Sequence, residues 1–148
     1  MHTTRRVLSA SVIAPLAAAA LLSGCNQGPP AGPAGPTRPI YAIDQTGGAK
    51  QCTVSPVTPV AGKEVSATMS VGNDGGWCAI SVHQEGPSPF AAGLLTVPAG
   101  HGRVYIHPVG DDTRIDYTPD VGYVGPDAFT VTLLPGHSVI RTIVKVVR

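Results

Sequence analysis

Aromatic side chains make up only 5% of this chain, while glycine (18) and proline (15) are abundant, a composition that disfavours long helices and suits short strands joined by many turns. After the first two dozen residues no stretch repeats its apolar side chains at the helical period, so a helical bundle is excluded as well. Charge of one sign is also missing. With Arg5 and Arg6 set aside, the 10 basic residues fall to 8 against 9 acidic ones, a net charge near −1 that offers no basic patch for nucleic acid. Catalytic signatures are absent too. No His-Glu-x-x-His spacing places two metal ligands on one face, no Gly-x-Ser-x-Gly elbow surrounds Ser88 or Ser138, and no phosphate loop occurs. No catalytic residue and no cofactor is therefore assigned from sequence.

What is present begins at the N-terminus. Arg5 and Arg6 form a positive segment, Val7 to Leu22 is apolar and alanine-rich, and Leu22-Ser23-Gly24-Cys25 closes the run. The run is too short and too weakly apolar for a comfortable transmembrane helix, and small residues stand where a signal peptidase cuts. Leu22 to Cys25 resembles the bacterial lipobox. That resemblance implies diacylglyceryl transfer to the Cys25 thiol, cleavage between Gly24 and Cys25, and attachment to a membrane through lipid on Cys25. Arg5-Arg6 followed by Val7-Leu8 loosely resembles a twin-arginine signal, but the pattern is incomplete and the general secretory route is favoured. Each buried methylene contributes about 0.8 kcal/mol and a single acyl chain holds only marginally, so two or three chains make a lasting anchor. The place after the lipidated cysteine is Asn26 rather than the aspartate that retains lipoproteins at the inner membrane. In a Gram-negative host the expected location is the outer membrane, facing the periplasm.

Residues 25–49 read as the lipidated cysteine followed by a linker. The run from Gly28 to Pro36 lacks the large apolar residues a core needs, and its prolines favour an extended polyproline conformation. Glycines at 28, 32 and 35 do not keep a period of three, which rules out collagen. Twelve residues so extended span roughly 35 to 40 Å, enough to hold a small domain clear of lipid head groups.

Residues 50–148 change to alternation. Val65, Ala67, Met69 and Val71 are separated by Ser66, Thr68 and Ser70, which puts four apolar side chains on one face of a strand. Gly72 to Gly76 is a turn by composition. Cys78, Ile80 and Val82 then face one way, with Ala79, Ser81 and His83 facing the other. Further strands are expected at Gln51 to Val54, Leu94 to Val97, Arg103 to His107, Thr113 to Tyr117, Ala128 to Leu134 and Ser138 to Val147. About eight strands in some hundred residues match an all-β sandwich of two antiparallel sheets.

The segment Tyr117-Thr118-Pro119 through Tyr123-Val124-Gly125-Pro126-Asp127 to Phe129-Thr130-Val131 resembles the closing part of bacterial immunoglobulin-like and cadherin-like repeats. The resemblance implies an immunoglobulin-like sandwich of seven or eight strands. In it Tyr117 ends one strand, Tyr123 covers the sandwich end, Gly125 and Asp127 shape a turn, Phe129 enters the core, and Arg141 to Val147 forms the last strand. Such repeats usually occur in tandem in adhesins, whereas one copy is present here.

With Cys25 taken by lipid, Cys52 and Cys78 remain as an even pair in an oxidising compartment, and a disulfide between them is expected. It joins either neighbouring strands or the two sheets. Trp77 beside Cys78 serves packing or contact. His83, His101, His107 and His137 are the remaining histidines, and exposed ones on strands and loops are usually solvated; a zinc or copper site would need several strands to bring them together. Asp111, Asp112, Asp116, Asp120 and Asp127 cluster in sequence, with oxygen ligation of calcium set against the commoner role of capping turns. Two expectations follow. The first is a non-enzymatic, membrane-anchored envelope module that binds an envelope protein or glycan, and the second a small metal-binding or hydrolytic protein using these histidines and aspartates.

Overall fold

The computed structural model describes residues 38–148. They contain a short 3-10 helix, Ala42–Gln45, followed by eight strands: β1 (Cys52–Val54), β2 (Glu64–Gly72), β3 (Cys78–Val82), β4 (Ala92–Val97), β5 (Gly102–Val109), β6 (Asp112–Pro119), β7 (Gly125–Leu134) and β8 (Ser138–Val147). One sheet has the order β1-β2-β8-β7-β4 and the other β3-β6-β5. This is the all-β sandwich expected from the alternation. All pairings are antiparallel except β2 with β8, which run side by side in parallel from Glu64↔Val139 to Gly72↔Val147. Alternation sets which face a strand buries but not its direction, so the parallel pair had no signal in the sequence.

Alternate residues meet between the sheets. Ala67, Met69 and Val71 of β2, Phe129, Val131 and Leu133 of β7, and Ile140, Val144 and Val146 of β8 face Cys78, Ile80 and Val82 of β3 and Ile115 and Tyr117 of β6, all of them buried. Phe129 stacks on Tyr117 with centroids 5.8 Å apart. The turn after β2 is not a hairpin. It carries the chain from the five-stranded sheet to the three-stranded one, and Asp74 shapes it by accepting from the Gly76 amide at 3.0 Å and the Lys50 amide at 2.9 Å.

Cys52 and Cys78 are bridged. Since Cys52 lies on β1 and Cys78 on β3, the disulfide ties one sheet to the other. At the far end Tyr123 packs against the core, donates its hydroxyl to the Pro126 carbonyl at 2.6 Å and stacks on His101 at 3.9 Å.

Candidate functional site

Strand β6 is buried on both faces, which its neighbours explain. It is the central strand of the smaller sheet, so Thr113, Ile115 and Tyr117 point into the sandwich while Arg114 and Asp116 occupy the outer face. The outward neighbours on β3 are small, with Ala79 opposite Asp116 and Ser81 opposite Arg114. On β5 they are Tyr105 opposite Asp116 and His107 opposite Arg114. Small side chains on one side and rings on the other leave a trough along β6.

Charges fill that trough. Arg114 donates from Nε to Asp116 Oδ1 at 2.7 Å and from Nη2 to Asp116 Oδ2 at 2.9 Å, a forked pairing. His107 Nε2 lies 3.1 Å from the same Oδ2, and the exposed Tyr105 ring stacks on His107 at 4.6 Å. Above Arg114 lies the Trp77 ring, whose centroid is 4.1 Å from the guanidinium carbon. Side-chain exposures of 9% for Arg114 and 8% for Asp116 mark this as a sealed pair. In such a place an ion pair needs its remaining polar atoms satisfied.

The cover is the N-terminal segment of the described chain. Arg114 Nη1 donates to the Asp44 carbonyl, and Trp77 Nε1 donates to the Thr46 carbonyl at 3.0 Å. Gly48 forms a parallel bridge with Trp77, the Ala49 amide donates to the Trp77 carbonyl at 2.8 Å, and the Trp77 amide donates to the Gly47 carbonyl at 3.1 Å. A side chain at Gly76 would stand 2.3 Å from the Ala49 nitrogen, so the segment approaches too closely for any residue but glycine there. Farther out the Arg38 amide donates to Asp111 Oδ1 at 3.1 Å. Residues 38–49, read from sequence as part of a linker, are thus laid along the smaller sheet. The contacts that hold them come from residues 28 to 73 positions away, which local composition does not register.

Other residues singled out from sequence are spread around the molecule. Asp127 organises the opposite end: Oδ1 accepts from the Gly100 and Ala128 amides at 2.8 Å each, and Oδ2 accepts from the His101 amide at 2.9 Å and the Tyr117 hydroxyl at 2.8 Å. Burial alone would push its carboxyl up, but the Gly100 amide, the Tyr117 hydroxyl and the Ala128 and His101 amides outweigh it and hold the group below the usual aspartate range. Burial, and then the bond to Asp127, push the Tyr117 hydroxyl far above the ordinary tyrosine value. His83 pairs with Asp112 at 3.0 Å on the surface, and His137 sits in the loop before β8 with φ of 51°. Among the described residues no three His, Cys, Asp or Glu side chains converge as a metal site would require. Gly24 and Cys25 lie outside the described residues.

Of this cluster the sequence had offered Asp116, His107 and Trp77 separately, but not Arg114, which joins them. Its signal is the run Asp112, Arg114, Asp116 alternating with Thr113, Ile115 and Tyr117, which places opposite charges on one strand face. No protein-family model matches the chain, and no curated protein matches it.

Proposed function

We propose that this chain is a lipid-anchored module of the bacterial cell envelope, built on a sandwich of the bacterial immunoglobulin-like kind, that works by binding or spacing and not by catalysis. The observation that carries the reading is the order of parts along the chain. A lipobox-like Leu22-Ser23-Gly24-Cys25 is followed by a proline- and glycine-rich run and then by a segment strapped onto a disulfide-tied domain. Such a strap suits a tethered domain, because load from the anchor reaches the Trp77 and Arg114 contacts before it reaches the core. With residues 38–49 held on the sheet, the part of the proline- and glycine-rich run left for spacing is residues 26–37, a length that would span roughly 35 to 40 Å if its composition holds it extended. The strap and the sealed Arg114–Asp116 pair take up the outer face of the smaller sheet, which leaves the outer face of the five-stranded sheet to an envelope protein or a glycan, and the scattered histidines favour this reading over a metal-dependent one. Cells fed labelled palmitate test it. Wild type should carry the label in the envelope fraction, and Cys25→Ser should remain an unlabelled precursor; equal label in both overturns the anchor. Stoichiometric zinc or copper in the purified protein, lost when the four histidines after the leader become Gln, would favour the metal-binding alternative.

A further inference from the structure

Charge is spread unevenly over the two sheets. Of the 9 acidic residues only Glu64 and Asp127 lie on the five-stranded sheet, and Asp127 is turned onto the Tyr117 hydroxyl and the amides around it. The outer face of that sheet therefore keeps one acid, Glu64, at the end of β2 opposite Val139. Its cations stand on the central strand. Strand β8 points Arg141, Ile143 and Lys145 outward, all exposed, and neither cation has an ion pair or a side-chain hydrogen bond among the described residues. The parallel register with β2 sets a hydroxyl beside each of the three, with Ser66 opposite Arg141, Thr68 opposite Ile143 and Ser70 opposite Lys145. On the other flank Thr130 stands opposite Arg141. Because β1 has only three residues, the face falls away beyond β2 into a groove whose lining includes Thr53, Thr68, Ser70, Ile143 and Lys145. The hydroxyls of Thr53, Thr68 and Ser70 have no hydrogen-bond partner among the described residues.

We infer that this face binds an acidic polysaccharide laid along β8, with Arg141 and Lys145 on its anionic groups and the flanking serine and threonine hydroxyls on those of its sugars. The inference rests on the reading of the chain as a non-catalytic envelope module and names the ligand class of its open face. Charge complementarity selects an anionic ligand, since the two cations have no acid of their own to meet. Spacing selects a polymer. Four residues along a strand set the two Cα atoms about 13 Å apart with Ile143 between them, so a small anion meets one cation well, whereas an extended chain that repeats its charge meets both. Rows of unpaired hydroxyls fit a ligand that is itself rich in hydroxyls. No aromatic ring stands on the face as a platform for a neutral sugar. A protein partner would be expected to meet an apolar and aromatic centre free of charge, and here the one large apolar side chain at the centre is flanked by cations.

The test is calorimetric titration of the full chain, with the disulfide formed and held in a neutral detergent, against polygalacturonate. Dextran, polyglutamate and glycerol phosphate are titrated alongside it. Polygalacturonate should bind with an affinity that falls as salt rises, and dextran should not bind. Arg141→Gln with Lys145→Gln should weaken that binding roughly tenfold with unchanged circular dichroism. Lys50→Gln with Arg103→Gln removes the same charge from exposed positions elsewhere and should leave the affinity unchanged. Thr68→Val removes only a hydroxyl from the groove and should weaken binding roughly threefold, which keeps the test open where the glutamine pair fails to fold. Equal affinity for polyglutamate would assign the face to an acidic protein segment, and equal affinity for glycerol phosphate to a small anion or a lipid head group; either result overturns the inference. An equal loss in Lys50→Gln with Arg103→Gln overturns it too, because net charge and not this face would then hold the polymer. Absence of polygalacturonate binding overturns it while the envelope module stands, since the palmitate label tests that reading without reference to the ligand.

Discussion

Asp127 shows how one side chain can organise an end of the sandwich. Its two oxygens gather the amides of Gly100, His101 and Ala128 and the hydroxyl of Tyr117, so it joins the stretch before β5, the end of β6 and the start of β7. Because the folded carboxyl is held below its ordinary value, the unfolded chain binds the proton more readily than the native one. The stabilisation is therefore full above the unfolded value of about 3.9 and is lost as pH falls through the lower folded value. Asp127→Asn should cost about 1 to 2 kcal/mol at neutral pH, since charge-assisted bonds become ordinary ones and an amide hydrogen is turned toward donors. Denaturant unfolding at neutral and acid pH checks this: the difference between parent and variant should narrow as the solution is acidified. A constant difference would mean that packing, not the charge, is what Asn disturbs. Asp74, also held low by the Lys50 and Gly76 amides, is common to both proteins and leaves that comparison intact.

Elements were legible where a single face is buried. The alternations in β2 and β3 predict both the strands and their inward sets, because the period of two is fixed by the backbone. Ends were less legible: β4 begins at Ala92 rather than Leu94 because Ala92 and Gly93 pair with Leu134 and Leu133, and β5 runs on through Pro108 because an edge strand tolerates proline. The strap was not legible at all. Its composition, from Tyr41 to Gly48, is that of a linker, and what holds it is Trp77 with a guanidinium from β6. Trp77→Ala should therefore loosen the strap with the sandwich still folded, seen as faster tryptic cleavage after Lys50 and Arg38 while the disulfide-bonded domain remains resistant. Arg114→Ala should do more. It frees the strap and also leaves Asp116 buried with only His107 beside it, a loss of roughly 3 to 5 kcal/mol, whereas Arg114→Met with Asp116→Leu should recover most of that loss without restoring the strap. Strap release in neither variant would mean that the backbone contacts, the bridge at Gly48 and the Arg38 amide on Asp111, are enough to hold it.

At the scale of the molecule the two sheets are held by a shared core and by one covalent tie, and these act on different states. Apolar contacts such as Phe129 on Tyr117 stabilise the folded form directly. The Cys52–Cys78 bridge acts chiefly on the unfolded chain, whose freedom it restricts across a separation of 26 residues. Pairing of these cysteines was readable from their even number once Cys25 is assigned to lipid. That the bridge spans the sheets was not, since β1 and β3 are placed in different layers only by their partners β2 and β6. In the chain-entropy account a loop of this length is worth about 3.5 kcal/mol, a large share of the stability of a small domain. Replacing both cysteines by Ala should lower the unfolding free energy by about that amount. The dependence on denaturant separates this account from a loss of native packing. Without the bridge the unfolded chain expands and exposes more surface, so the slope against denaturant should steepen in the double variant. Cys78 is buried and Cys52 exposed, so a cavity arises on one side only, and equal stability loss with an unchanged slope would place the effect in that cavity. An oxidised parent with no free thiol by intact mass fixes the reference for the comparison, and reduction of that parent should reproduce the steeper slope without any change of sequence.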